Sequence, residues 1–301
     1  MAGDSTSGTV ARVALGSLAV GLVVLGLKAV AAWLTGSIAL YSDALESVVN
    51  VVTALVALVA VRLAARPADA SLPYGYGKAE YFSAVVIGAF IAVAAILIFQ
   101  RAWEGFINPV PFVADPVGIA VSVGASALNA VWAVTLLRVG ARERSPSLSA
   151  DGRHLMTDVV STVAVIAGVL LTVVTGFTQL DAALGVLVGL GILWSGWQLV
   201  RESVVGLMDV AVPPATLKLI RETIAANADG AIEAHDIRTR ESGRMIFIDF
   251  HLVVAGSMSV ETAHGICDRI EAKLRTAVAD AQITIHVEPE NKAKHSGIVV
   301  V

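Results

Sequence analysis

Residues 80–103 read EYFSAVVIGAFIAVAAILIFQRAW. Between Glu80 and Arg101 every residue is uncharged. A helix that crosses a bilayer needs about 20 mostly apolar residues, so this stretch reads as a membrane span. Working outward, the same pattern recurs over 13–34, 38–63, 113–138, 154–175 and 180–202. Turn and stop signals separate these stretches: Thr35-Gly36, Arg66-Pro67, Asn108-Pro109-Val110-Pro111, Arg142 to Pro146, and Thr175-Gly176. The expectation is therefore a six-helix membrane protein. Its first span is too long for a signal-peptide core and lacks a basic lead and a cleavage site, so it reads as a retained helix.

Composition agrees. Of 301 residues 56% are hydrophobic and 15% charged, against about 25% charged in soluble domains. That excludes an ordinary soluble protein and a disordered chain. A net charge of -4 speaks against a nucleic-acid partner, which calls for a basic surface. The single cysteine, Cys267, allows no intrachain disulfide and no cysteine-based zinc cluster.

Lysine and arginine in short loops set orientation. Arg62, Arg66 and Lys78 flank the loop after the second span, and Arg138, Arg142, Arg144 and Arg153 the loop after the fourth. The other loops offer only Arg101. The expected location is the inner (plasma) membrane, multi-pass, with both termini cytoplasmic. The expected division is a tail over 1–12, a transmembrane domain over 13–208, a cytoplasmic domain over 209–290 and a tail over 291–301.

Ionisable residues inside spans are costly and mark function by default. The second span carries Asp43, Glu46 and Asn50, and the fifth carries His154 and Asp158. Glu46/Asn50 and His154/Asp158 are both i,i+4 pairs, each on one helix face. Two facing helices would offer four N/O donors, enough for a tetrahedral divalent cation. Ionised Glu46 and Asp158 supply two negative charges, which one divalent ion or protons can neutralise. The plain alternative is interhelical hydrogen-bond glue. Asp43, one turn nearer the helix start, reads as a supporting or pore-mouth group. Lys28 in the first span reads as a snorkelling or pairing side chain.

The segment after Asp209 has the order α-β-β-α-β, a ferredoxin-like α+β domain: a helix over 213–227, strands over 235–241 and 245–254, a helix over 259–279 and a strand over 282–288. Ile246, Ile248, Phe250 and Leu252 form one apolar strand face, with Asp249 and His251 on the other. Val260, Ala263, Ile266, Ile270, Leu274 and Val278 are expected inward from the second helix, and Ile283, Ile285 and Val287 from the last strand. His235, His251, His264 and His286, with Glu288, gather in this domain. Imidazole and carboxylate suit first-row divalent ions.

The stretches Leu27-Lys28 through Trp33-Leu34-Thr35-Gly36-Ser37, Ser42-Asp43-Ala44, Pro67-Ala68-Asp69, Gly75-Tyr76-Gly77-Lys78-Ala79-Glu80, Asp151 to Asp158 and Ala234 to Arg240 resemble the cation diffusion facilitator family over about residues 12–290. The resemblance implies a homodimeric transporter in a lipid bilayer. It would export divalent metal (Zn, Mn, Fe, Co or Cd) against protons by alternating access, would not be an enzyme, and would take no small organic substrate. It places the transport site on Glu46, Asn50, His154 and Asp158. It places a regulatory cytoplasmic metal site on His235, His251, His264, His286 and Glu288. It places an inter-subunit lock on Lys78 and Asp209. Three positions depart from the family pattern. Glu46 and Asn50 stand where Asp or His, then Asp, are usual, which shifts the site toward oxygen donors. Asp69, Leu72 and Tyr76 stand where the loop site has Asp and two His, so that site is expected to be degraded. Glu288 replaces Asp. The rival readings are a metal-binding membrane sensor or scaffold without transport, and a membrane-anchored metal hydrolase, for which no general-base motif is present.

Overall fold

The structure is a computed structural model that describes residues 2–35, 38–107, 116–175, 179–294 and 297–299; the side chains of Asp43 and Glu46 lie outside the described set. The chain divides into two compact units, Met1–Val204 and Val205–Val301.

The first unit is helical: α1 (Ala2–Thr35), α2 (Ile38–Ala64), α3 (Ala79–Ile107), α4 (Pro116–Arg142), α5 (Pro146–Thr175) and α6 (Gln179–Leu207). Among the described residues α1, α2, α3, α4 and α6 are long and apolar enough to cross a membrane. α5 has 30 residues, and its first half carries Asp151, Arg153, His154 and Asp158. Two helices start earlier than the apolar pattern suggests. α1 begins at Ala2 within the expected tail, since residues 2–12 contain no proline to stop it. α5 begins two turns before His154, because Pro146 suits a first helical position and Arg144, at φ 52°, turns the chain just before it.

Packing joins α1, α2, α4 and α5 around Val10, Ala14, Leu58, Val61, Ala133, Leu136, Leu148 and Leu155. A second cluster, with Ala57, Ile87, Ile91, Ala150, Ile192 and Leu199, ties α3 and α6 to α2 and α5. Lipid offers no hydrophobic drive between helices, so small residues that let backbones approach matter most. At the α3–α6 crossing a Cβ on Gly196 would stand 3.0 Å from Ile91 and 3.3 Å from the Gly88 carbonyl oxygen. Outward faces are apolar. Trp33, Trp103, Trp194 and Trp197 are exposed, as lipid-facing and interfacial aromatics are.

The second unit contains α7 (Pro214–Ala225), β1 (Glu233–Ser242), β2 (Met245–Val254), α8 (Val260–Ala277), β3 (Ala281–Pro289) and β4 (Ile298–Val299). The sheet order is β3-β2-β1-β4. β1 is antiparallel to β2 and β4, and β2 is parallel to β3. Ile246, Ile248, Phe250 and Leu252 are buried against Ile220 and Ile224 of α7 and Ile266, Ile270 and Leu274 of α8. Full burial of such a side chain is worth about 1.5–3 kcal/mol. Ser259 caps α8 by accepting from the Thr262 N–H.

Three expectations for this unit need correction. Val260 is exposed, because it opens α8 before the apolar stripe turns inward. Val287 is also exposed, because it lines an open groove beside the start of α8 instead of the core. Part of the expected tail, Ile298–Val299, returns as the edge strand β4.

The α3–α6 contact gives a test. Gly196→Val forces a branched side chain against Ile91 and the Gly88 carbonyl. It should cost about 1–3 kcal/mol as an overpacking change, read as a lower unfolding temperature of the detergent-solubilised protein. Gly191→Ala, on the same helix with open space at its Cβ position, should leave that temperature unchanged.

Candidate metal sites

The membrane candidate is built from one face of α2 and one of α5. Asn50 and His154 are buried, at 4% and 2% exposure. Asn50 Nδ2 donates to Asp158 Oδ2, which orients the amide. Its carbonyl oxygen is then 2.9 Å from His154 Nε2. A carbonyl oxygen only accepts, so Nε2 carries the proton in this arrangement. Asn50, His154 and Asp158 thus form one hydrogen-bonded chain between two helices. Glu46 lies one turn before Asn50 on the α2 backbone, and Asp43 about two turns before it. The side chains of both are outside the described residues.

Asp151 adds a group that pattern reading passed over. It is fully buried, and Ser17 Oγ of α1 donates to its Oδ2 at 2.5 Å. Its Oδ1 has no hydrogen-bond partner among the described residues. The signal was available: Asp151, His154 and Asp158 are spaced i, i+3, i+7 and share the α5 face.

In the loop after α2, Asp69 Oδ1 accepts from the Ser71 N–H at 2.9 Å, the Ser71 hydroxyl at 2.6 Å and the Leu72 N–H at 2.9 Å. Its Oδ2 accepts from the Tyr76 hydroxyl at 2.6 Å. Hydrogen bonds from Ser71, then Tyr76 and Leu72, hold this carboxyl well below the ordinary carboxylate range. Asp69 thus organises its own loop through Ser71, Leu72 and Tyr76.

The second candidate is a row of imidazoles on the sheet face away from the helices. His235 of β1 is opposite His251 of β2, and His251 is beside His286 of β3. Adjacent ring centroids are 5.3 Å and 5.0 Å apart. Glu288 reaches all three: its carboxylate is 3.4 Å from His235 Nε2, 3.2 Å from His251 Nδ1 and 3.7 Å from His286 Nε2. Buried polar atoms are nearly always hydrogen-bonded. Both ring nitrogens of His235 and Nδ1 of His251 are nevertheless buried with no hydrogen-bond partner among the described residues. Nitrogen and oxygen donors converging with unused lone pairs fit a first-row divalent ion.

His264 stands apart from this row. Its side chain is 72% exposed and lies 3.8 Å from Asp268. It shares with Glu288, Val260 and Val287 the lining of a groove of about 310 Å³.

Sequence reading missed Asp236. β1 carries a bulge between His235 and Arg238, and Asp236 sits in it at φ 51°. Donor atoms of His235, Asp236 and His251 lie within 4.8 Å of one another. Lys294 donates to Asp236 and lowers its carboxyl pKa. Asp209 accepts from Arg240 at 3.0 Å, and that guanidinium lies 4.0 Å over the Phe247 ring. Lys78 precedes α3, its carbonyl accepting from the Phe82 N–H.

Residues 14–208 match the cation efflux transmembrane domain, and residues 212–290 match the cation efflux protein cytoplasmic domain. The chain is 42% identical to the uncharacterized transporter sll1263 of Synechocystis over 273 residues, covering 91% of this chain and 88% of that one. It is 32% identical to the cation-efflux pump FieF of Cronobacter sakazakii over 281 residues, 93% of each. Among solved structures it is similar to the Zn form of CzrB, at 44% identity and a TM-score of 0.28, over 29% of this chain and 98% of that one.

The Asp69 loop supplies a titration test. A depressed carboxylate stabilises its loop above the ordinary pKa of about 3.9, and that contribution fades as pH falls through the lower folded value. Tyr76→Phe removes one donor and should move the Asp69 midpoint up toward the ordinary range. Carboxyl-carbon NMR in nanodiscs measures it, and an unmoved midpoint would refute the role given to Tyr76.

Proposed function

Because this chain belongs to the cation efflux family of multi-pass membrane transporters, which are not enzymes, we propose that it exports a divalent transition-metal ion from the cytoplasm in exchange for protons. The observation that carries this reading is the chain His154–Asn50–Asp158, buried between α2 and α5. A cation entering it would take Asp158 and the Asn50 carbonyl as oxygen donors and His154 Nε2 as nitrogen donor, with Glu46 as the fourth group. His154 Nε2 must give up its hydrogen to coordinate. The same three groups can satisfy one another when the ion leaves. A site that is complete in both states suits alternating access, in which helices rock about a fixed centre. Protons from the far side would compete for His154, whose ordinary pKa of about 6.5 suits that exchange, and for the carboxylates.

Three oxygen-bearing side chains and one imidazole suit Mn(II) or Fe(II) as well as Zn(II); Co(II) and Cd(II) are further candidate cargoes. The likeness to a cation-efflux pump supports outward transport. The row His235, His251, His286 with Glu288 would bind metal as a cytoplasmic regulatory site, with His264 joining from across the groove. The working form would be a homodimer in the inner membrane, both termini cytoplasmic, with Lys78 of one protomer and Asp209 of the other as a lock. Asp209 would then exchange its Arg240 contact for the lysine.

Flux into proteoliposomes under a proton gradient, with Zn, Mn, Fe, Co and Cd in parallel, tests the reading. Asp158→Ala should reduce flux to the empty-liposome level while cytoplasmic metal binding persists. His251→Ala should weaken cytoplasmic binding at least tenfold with a smaller loss of flux. Metal binding without flux of any ion would instead favour a membrane-bound sensor.

A further inference from the structure

The segment after residue 290 falls outside the matched cytoplasmic domain, yet it is anchored across the rim of the imidazole row at three points. β4 pairs with the start of β1, Ile298 opposite Ala234 and Val299 opposite Glu233. The Gly297 N–H donates to Glu233 Oε1 at 2.8 Å. At this crossing a Cβ on Gly297 would lie 2.4 Å from the Ala234 carbonyl oxygen and 2.8 Å from His235 Cβ, so only glycine passes. The third anchor is Lys294, whose ammonium lies 2.5 Å from Asp236 Oδ2.

Asp236 is the residue that the β1 bulge delivers beside His235 and His251. In a regular strand neighbouring side chains point to opposite faces, so His235 and Asp236 could not both serve one site. A bulge removes that restriction. The carboxylate thus reaches the donor atoms of two histidines while a tail lysine holds it.

We propose that Asp236 is a further ligand of the cytoplasmic metal site and that Lys294 is its built-in competitor, so that metal binding displaces the C-terminal tail. The proposal rests on the reading of the imidazole row as a metal site. A divalent ion and the ammonium seek the same carboxylate. When the ion takes it, Lys294 moves to solvent, and the tail loses one of its three anchors. The pair is half exposed, at 50% and 32% for the two side chains, and exposed pairs are weak. The competition is therefore worth about 2- to 5-fold in metal affinity.

The test uses full-length protein in detergent, with Asp158→Ala throughout to silence the membrane site, and Zn(II) as the probe. Lys294→Met should tighten zinc binding about 2- to 5-fold, and the gain should vanish when Asp236→Asn is also present. Gly297→Ala, which pushes the tail off without touching the charge pair, should tighten binding in the same direction. Hydrogen exchange at Ile298 and Val299 should speed up on zinc saturation. Unchanged affinity in Lys294→Met overturns the proposal, as do amides that stay protected at saturating zinc. If zinc binds and His251→Ala weakens it while Lys294→Met does nothing, the metal reading stands and the tail proposal alone has failed. If the parent binds no zinc, the metal reading has failed and the proposal with it.

Discussion

Asn50 holds α2 and α5 together by both ends of one amide. Its nitrogen serves Asp158 and its oxygen serves His154. In a hydrocarbon setting an unmatched polar group is expensive, so the relative height of the two helices is set by this pairing. A carboxylate at position 50 could accept from His154 but would face Asp158 as a like charge. The amide is neutral and has both a donor and an acceptor, so it links His154 and Asp158 without a cation. The tight contacts elsewhere in the unit, such as Gly16 against Trp132 and Gly152 against Leu136 and Leu137, keep α1 and α5 close to α4.

The cytoplasmic row follows a different logic. Its register comes from backbone ladders, which align His235, His251 and His286 one strand apart. The side chains have not satisfied one another: buried ring nitrogens remain without hydrogen-bond partners among the described residues. In the membrane centre one amide bridges His154 and Asp158, whereas on the sheet face three imidazoles converge on the Glu288 carboxylate.

Much of this was legible in the sequence. Long uncharged stretches between turn signals define the helices, because the bilayer demands a minimum apolar length. Period-2 alternation places Ile246, Ile248, Phe250 and Leu252 in the core and turns His251 away from it. The same alternation failed at Asp236, where the bulge breaks the period. It failed at Val287, which lines an open groove beside the start of α8 instead of the core. The extra turns of α5 were hidden by their polarity, since Ser147, Ser149, Asp151 and Arg153 do not look like membrane sequence. Asp151 and Ser17 are 134 positions apart, and no local pattern announces such a partnership. The tail strand was missed because a two-residue edge strand has no periodicity to read.

The β1 bulge has an evolutionary consequence. It spends one more residue on β1 than on β2 between the His235–His251 and Arg238–Asp249 pairs. Loss of the Asp236 codon would leave a regular ladder with His235 still opposite His251 and every residue from Arg238 onward unmoved. The sheet can therefore acquire or shed this carboxylate by a single three-base insertion or deletion. The donor count of the cytoplasmic face is a trait that lineages can tune without renegotiating the fold.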